Sequence, residues 1–440
     1  MALSGIQIYK LLPQTNCKEC GFPTCLAFAM KLAAKQVELS SCPYVSEESK
    51  AQLAESSAPP IRLISLKSDG YEVKSGNEVV LFRHEKTFYN KPGVFLQVSD
   101  TLGVDAIKEL ITKANAYTVN YVGIDLTLDG FAVKADSGTP GTFAAAVQAV
   151  RSATKRPLIL VTSDPAVAAA GLGALSGETA MLYAADSTNW EAMASEAAKA
   201  KAALAVKAGT LDELADLTEK IKGKGVEDLV LDPATGGLVG ELQNEVLIRR
   251  LALKKNYRPL GYPTITFPKN VPAAAQAVSK YAGFIVLERF APELIYPLLV
   301  LRQNIYTDPQ KPIQVQPGLY EINNPTAEAP VLVTTNFSIT YFSVANEVES
   351  SGLPAWLVVT DAEGMSVLTA WAAGKFDSER IAKAVKGFNV ADKVSRKRLV
   401  LPGQVAVLSG EVEADLPGWE ILVGPREAVD IPKFYKAALK

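Results

Sequence analysis

The chain has 440 residues, 45 of them basic and 47 acidic, and a net charge of −2 leaves none of the basic excess that a nucleic-acid footprint needs. It is too long for one ordinary core, so two or three domains are expected. No apolar run reaches the roughly 18 residues that span a bilayer, and the start Met1-Ala2-Leu3-Ser4-Gly5-Ile6 lacks the basic and apolar regions of a secretory signal. A cytoplasmic, reducing setting with no membrane partner is expected.

All four cysteines lie between Cys17 and Cys42, in Cys17-Lys18-Glu19-Cys20-Gly21-Phe22-Pro23-Thr24-Cys25 and Cys42-Pro43. Thiolates spaced C-x2-C-x4-C-x16-C can converge on one metal centre, and four is the number a [4Fe–4S] cluster takes. A zinc site with four thiolates, or disulfides and free thiols, are the competing readings. Residues 1–58 read as a small domain dependent on its metal. Thr24 is placed to cap a helix from Cys25, with Leu26, Ala29, Met30 and Ala33 on one face. So few apolar residues make a poor core without ligation.

Polar, alanine-rich text from residue 47 ends in Ala58-Pro59-Pro60, a linker or hinge. Residues 59–92 are expected to hold linker and short strands about a Ser75-Gly76-Asn77 turn. His84, the one histidine of the chain, reads as a structural or surface residue.

Residues 93–307 repeat a strand–helix pattern. Candidate strands at 94–98, 121–126, 158–162, 181–184, 203–206, 228–231, 264–267 and 284–287 are short and apolar, as strands buried on both faces should be. Amphipathic or alanine-rich stretches between them include 104–116, 142–152, 189–200, 211–221 and 238–253. Eight such units fit a (β/α)8 TIM barrel, with an open doubly wound sheet as the alternative. At the strand ends, where barrel chemistry sits, the chain offers Asp100, Asp125, Asp164, Asp232 and Glu288. Asp164 and Asp232 precede helices and serve equally as N-caps. A scaffold or docking role is expected of the barrel.

Residues 308–325, with Pro309, Pro312, Pro317 and Pro325, read as a second connector. Residues 326–440 form another α/β unit, with strands expected at 330–333, 356–359, 399–401 and 421–423. Small and polar residues collect where those strands end, the edge at which open α/β sheets bind ligands.

The cysteine spacing, the eightfold unit and the segments 334–340, Gly364-Met365-Ser366-Val367-Leu368-Thr369-Ala370-Trp371 and Gly424-Pro425-Arg426-Glu427-Ala428 resemble, essentially end to end, the large (gamma) subunit family of corrinoid iron–sulfur proteins. That family belongs to the anaerobic acetyl-CoA (Wood–Ljungdahl) pathway of carbon fixation. The resemblance implies an α/β multidomain fold: a small N-terminal [4Fe–4S] domain, a central barrel and a C-terminal Rossmann-like corrinoid-binding domain. It implies that Cys17, Cys20, Cys25 and Cys42 ligate the cluster. Thr334, Thr340, Gly364, Met365, Ser366, Val367, Thr369, Ala428 and Val429 would touch the cobamide. The implied role is a methyl carrier in a methyltransferase system rather than a free-standing enzyme. Implied partners are a small subunit completing a heterodimer, a methyltetrahydrofolate-dependent methyltransferase, CO dehydrogenase/acetyl-CoA synthase and a reductive activator. Many corrinoid proteins hold cobalt from below with a histidine, and none follows His84 here, so a base-off corrinoid is expected. Mobile end domains would let one cobalt meet several partners. An iron–sulfur electron-transfer protein and a pterin-binding barrel methyltransferase using Asp100, Asp125 or Asp232 are the alternatives.

Overall fold

The computed structural model describes residues 5–33, 37, 39–46, 48–50, 53, 59–233, 237–307 and 312–439. Contacts divide the chain into one unit of Met1–Thr118 and Thr127–Tyr306 and a second of Val119–Leu126 and Thr307–Lys440. Among the described residues no helix is long and apolar enough to cross a membrane.

The first unit opens with helices Gly5–Leu11 and Cys25–Ala33, which pack Ile8, Leu12, Phe28, Val45 and Leu53 into a small core with Cys25 and Cys42. Thr24 caps the second helix by accepting from the backbone N–H of Ala27 at 3.1 Å. The expected inward face is corrected by about one residue. Cys25, Phe28 and Ala29 turn inward while Leu26 and Met30 are exposed, because two thiols take core positions.

A hairpin of β1 (Ile64–Ser68) and β2 (Tyr71–Ser75) follows. Its turn is at Asp69-Gly70, both at positive φ, not at Ser75-Gly76-Asn77 as the glycine there suggests. Ile64, Leu66 and Val73 from this hairpin share one apolar cluster with the interior of the barrel, so the hairpin plugs it. Gly93 is needed beneath the plug, since a Cβ there would lie 2.8 Å from Val73.

After β3 (Gly93–Ser99) comes a second hairpin, β4 (Thr118–Tyr121) and β5 (Ile124–Thr127), outside the barrel. The barrel continues with β6 (Gly130–Lys134), β7 (Leu158–Val161), β8 (Met181–Ala185), β9 (Ala203–Lys207), β10 (Leu229–Asp232), β11 (Thr264–Thr266) and β12 (Ala282–Leu287). With β3 these close in the order β10-β11-β12-β3-β6-β7-β8-β9, every pair parallel. This is a (β/α)8 barrel. The expected strand at 121–126 is corrected: that segment is the hairpin, and the second barrel strand is β6. Phe95 and Phe284, both fully buried with ring centroids 6.1 Å apart, fill the interior. Truncating either would cost about 3–5 kcal/mol. Local caps start the outer helices: Asp164 accepts from Ala166 and Val167, Thr210 from Glu213, Asn270 from Ala273.

The second unit carries β13 (Gly318–Ile322), β14 (Val331–Thr335), β15 (Ala355–Thr360), β16 (Arg398–Leu401) and β17 (Glu420–Val423), ordered β13-β15-β14-β16-β17. The stretch 308–325 is therefore not all connector. Its residues 308–311 lie outside the described ones, and β13 pairs antiparallel with β15 at the sheet edge. The other pairs are parallel. Val331 and Val333 feed the apolar cluster on one face and Leu332 the cluster on the other, the period of two that a doubly covered strand requires. From β14 the chain adds β15 on one side and later β16 on the other. The sheet thus reverses between β14 and β16, and α/β sheets bind ligands at such a switch point.

Candidate cofactor sites

Cys17 is exposed, Cys20 half-buried, Cys25 and Cys42 buried, and all four thiols are free. The loop before the helix is built from residues at positive φ, Gln14, Asn16, Lys18 and Gly21, which curl the backbone around the sulfurs. Asn16 grips Cys25 twice: its Oδ1 accepts the Cys25 N–H at 2.8 Å, and its own N–H donates to the Cys25 sulfur at 3.4 Å. Cys25 also opens a helix. Among the described residues no three His, Cys, Asp or Glu side chains stand together as a closed metal cage. The donor set still fits a cluster: four soft sulfurs within one small unit, one of them already accepting the N–H···S bond that tunes such centres.

In the second unit a cleft of 330 Å³ opens where β14, β16 and β17 end. Thr334, one residue before the end of β14, lines it. Ile339, Thr340 and Ser343 come from the helix Ser338–Ser350 that follows. Ser366, Val367 and Leu368 form another wall, and Pro402, Gln404 and the run 424–428 complete it. Thr334 is 1% exposed and its hydroxyl has no partner among the described residues. A buried hydroxyl left unpaired is costly, so one lining a cleft is suited to a ligand's polar atom. The strand ends beside the cleft approach closely enough to require glycine: a Cβ on Gly403 would strike the Gly424 carbonyl at 2.4 Å, and one on Gly424 the Val400 side chain at 2.8 Å.

Residues 64–435 match the family described as the CO dehydrogenase/acetyl-CoA synthase delta subunit, and residues 12–44 a family described by an Fe-S cluster. The large subunit of the corrinoid/iron-sulfur protein of Moorella thermoacetica is 44% identical over 445 residues, covering 100% of both chains. The chain belongs to the corrinoid/iron–sulfur protein large-subunit family. Subunit gamma of the acetyl-CoA decarbonylase/synthase complex of Methanopyrus kandleri is 35% identical over 98% of this chain and 97% of the relative. The same subunit of Archaeoglobus fulgidus is 35% identical over 97% and 96%. A dihydropteroate synthase of Xanthomonas albilineans in complex with 7,8-dihydropteroate aligns at 14% identity over 56% of this chain and 100% of that one, with a TM-score of 0.38 that carries no argument.

Of the positions that the large-subunit family suggests for the corrinoid, Thr334, Thr340, Ser366, Val367 and Ala428 line the cleft together. The remaining four lie outside its lining. Gly364 sits at φ +74° against Gln314, Met365 packs on the apolar core, Thr369 is exposed with its hydroxyl 3.0 Å from that of Ser366, and Val429 is 67% exposed. Ile339, Gln404, Arg426 and Glu427 line the cleft as well; Ile339, Arg426 and Glu427 lie in the segments that carry the resemblance but are not among the contacts it implies.

The barrel acids of the large subunit do not form one site. Asp100, 3% exposed, is taken by the N–H and hydroxyl of Ser137 at 2.9 and 2.5 Å. Asp125 lies on the β4–β5 hairpin, not at a barrel strand end, and accepts from Asn120 at 2.9 Å. Asp164 is an N-cap. Asp232 accepts the Tyr183 hydroxyl at 2.5 Å; burial, and after it the Asp232 carboxylate, pushes that phenol up. Glu288 pairs with Lys269. His84 is exposed and stacks on Phe82.

Proposed function

We propose that this chain is the methyl-carrying subunit of a corrinoid-dependent transfer system. It accepts methyl from methyltetrahydrofolate through a methyltransferase and delivers it to acetyl-CoA synthase, alongside a small partner subunit and a reductive activator. The observation that carries this reading is the switch-point cleft, lined by Thr334 with its hydroxyl unpaired among the described residues, in a member of this family. When bound, the corrinoid supplies a cobalt centre able to take up and release methyl, and the [4Fe–4S] cluster supplies the low-potential electrons that return it to its reduced form.

The chain's own residues divide these tasks. Cys17, Cys20, Cys25 and Cys42 would hold the cluster in a domain of residues 1–58, with Asn16 steadying the Cys25 sulfur. In a corrinoid-binding domain of residues 326–440, the hydroxyls of Thr334, Thr340 and Ser366 would take polar atoms of the macrocycle's rim. Ile339 and Leu368, 57% and 47% exposed, would meet its apolar edge. No histidine stands in that domain, and the one imidazole of the chain, His84, belongs to the first unit. The corrinoid would then be held base-off. With no imidazole from this domain to donate to it, a corrinoid held there would return more easily to its reduced, reactive form.

Cobalt and iron measured on one anaerobically purified sample, with the partner subunit co-expressed, test this. Both metals together, with about four iron per chain, are expected. Iron without cobalt would leave an electron carrier, and zinc in place of iron would remove the cluster.

A further inference from the structure

Asn336 follows the last residue of β14 and is 1% exposed, yet every polar atom of its amide is bonded. Its Oδ1 accepts two backbone N–H groups, Ala362 at 2.9 Å and Gly364 at 3.0 Å. Two backbone donors on one atom fix which end of the amide is oxygen. Its Nδ2 donates to Asp361 Oδ1 and Gln314 Oε1, each at 3.2 Å. Its backbone carbonyl accepts from Val315 at 2.9 Å. One buried side chain therefore ties the end of β14 to the loop 361–364 and to the strap around Gln314. That loop turns through Glu363 and Gly364, both at positive φ, directly into Ser366, Val367 and Leu368. The other wall of the cleft begins two residues after Asn336, at the helix Ser338–Ser350.

We propose that Asn336 is a positioning residue for the cofactor cleft: by pinning the loop 361–364 to the end of β14, it sets the spacing between the 366–368 wall and the Thr334–Thr340 wall. The inference rests on the corrinoid reading of that cleft. Asn336 lines no part of the cleft itself and acts through the loop. Its bonds cross 22 to 28 residues of sequence, so nothing local replaces them. Supporting groups behind a site are worth on the order of tenfold or more in affinity even when they never touch the ligand.

The test uses the full chain stripped of corrinoid and titrated with cobinamide, followed by its absorption. Asn336→Asp keeps the acceptor for Ala362 and Gly364 but sets a carboxylate against Asp361, so binding should weaken about tenfold or more. The double variant Asn336→Asp with Asp361→Asn lets the 361 amide donate to the 336 carboxylate, at the cost of the Glu363 N–H bond that Asp361 Oδ1 also accepts, and Gln314 can turn its amide to match, so binding should recover by about threefold or more over the single variant. Val412→Ala, a cavity in the same unit away from the cleft, controls for lost stability alone. Three results overturn the proposal: unweakened binding by Asn336→Asp, a double variant no better than the single one, or an equal loss from Val412→Ala. A parent chain that takes up no cobinamide at all would instead overturn the corrinoid reading on which the proposal stands.

Discussion

Thr360 donates its hydroxyl to the carbonyl oxygen of Thr334 at 3.2 Å, while the hydroxyl of Thr334, 1% exposed in the cleft, has no partner. The pairing fixes the strand end while the Thr334 hydroxyl, like those of Thr335 and Ser338, stays unpaired among the described residues. Thr334→Val keeps the shape and removes the Thr334 hydroxyl. The corrinoid-free protein should be equally or slightly more stable, since a buried unpaired hydroxyl costs about 1–3 kcal/mol. Cobinamide affinity should fall roughly threefold to tenfold, the worth of one hydrogen bond. Melting curves and an absorption titration read both effects. Tighter or unchanged binding would mean that the hydroxyl serves no ligand.

Cys20→Ala should remove the cluster without disturbing the cleft. Among the described residues, the apolar clusters beneath the cleft are built from residues of the second unit itself, and Cys20 belongs to a separate one. Iron and sulfide should drop to background. The variant should accept methyl when supplied already reduced, and should fail to recover by reduction after oxidation. Failure to accept methyl with corrinoid bound would give the cluster a task beyond electron entry.

Where the sequence was legible, the determinants were local. Thr24 and Asp164 cap the helices that follow them, and seven barrel strands stand at or within a residue or two of their apolar runs. Where it misled, they were distant. Strand β6 shows only Phe131-Ala132-Val133 after Asp129-Gly130, a pair that reads as a turn. Its reality rests on long-range contacts. The Asp129 carboxylate accepts the Val94 N–H at 2.8 Å and pairs with Arg302, and a Cβ on Gly130 would lie 2.3 Å from the Phe95 ring. Strand β13 was hidden among prolines because an edge strand pairs on one side only. Asn336 was passed over for a similar reason, its partners standing at 314 and 361–364. The cysteines needed no such help, since their spacing is itself the signal.

The hairpin mistaken for a barrel strand makes its own prediction. Val122 and Gly123 both have positive φ, +52° and +78°, a two-residue turn of the mirror-image type that suits Asn-Gly. A β-branched residue at positive φ is strained, by about 1 kcal/mol or more. Val122→Asn should therefore stabilise the second unit by roughly 0.5–1 kcal/mol. Gly123→Ala should destabilise it, since the added Cβ would come 2.7 Å from the Phe342 ring. Chemical denaturation of the two variants should move in opposite directions. A neutral or destabilising Val122→Asn would contradict the turn geometry.

Glu245, 4% exposed on the helix Gly237–Lys255, gives the barrel a pH dependence. Burial pushes its carboxyl up to about 8, opposed by the Thr264 hydroxyl and by Arg249 and helped by the negative charges of Glu241 and Asp232. An unfolded glutamate titrates near 4.3. Between about 4.5 and 8 the folded chain keeps this proton and the unfolded chain has lost it, so the folded state binds more protons. Stability must then fall as pH rises through that window, by at most about 1.4 kcal/mol per unit, and level off above 8. Glu245→Gln keeps the shape and abolishes the titration. Denaturation at pH 5, 6.5 and 8.5 should find the two proteins similar at pH 5 and the variant more stable at 8.5, by roughly 2–4 kcal/mol. Parallel profiles for parent and variant would show that Glu245 is already ionised in the folded barrel, held by Arg249 against its burial.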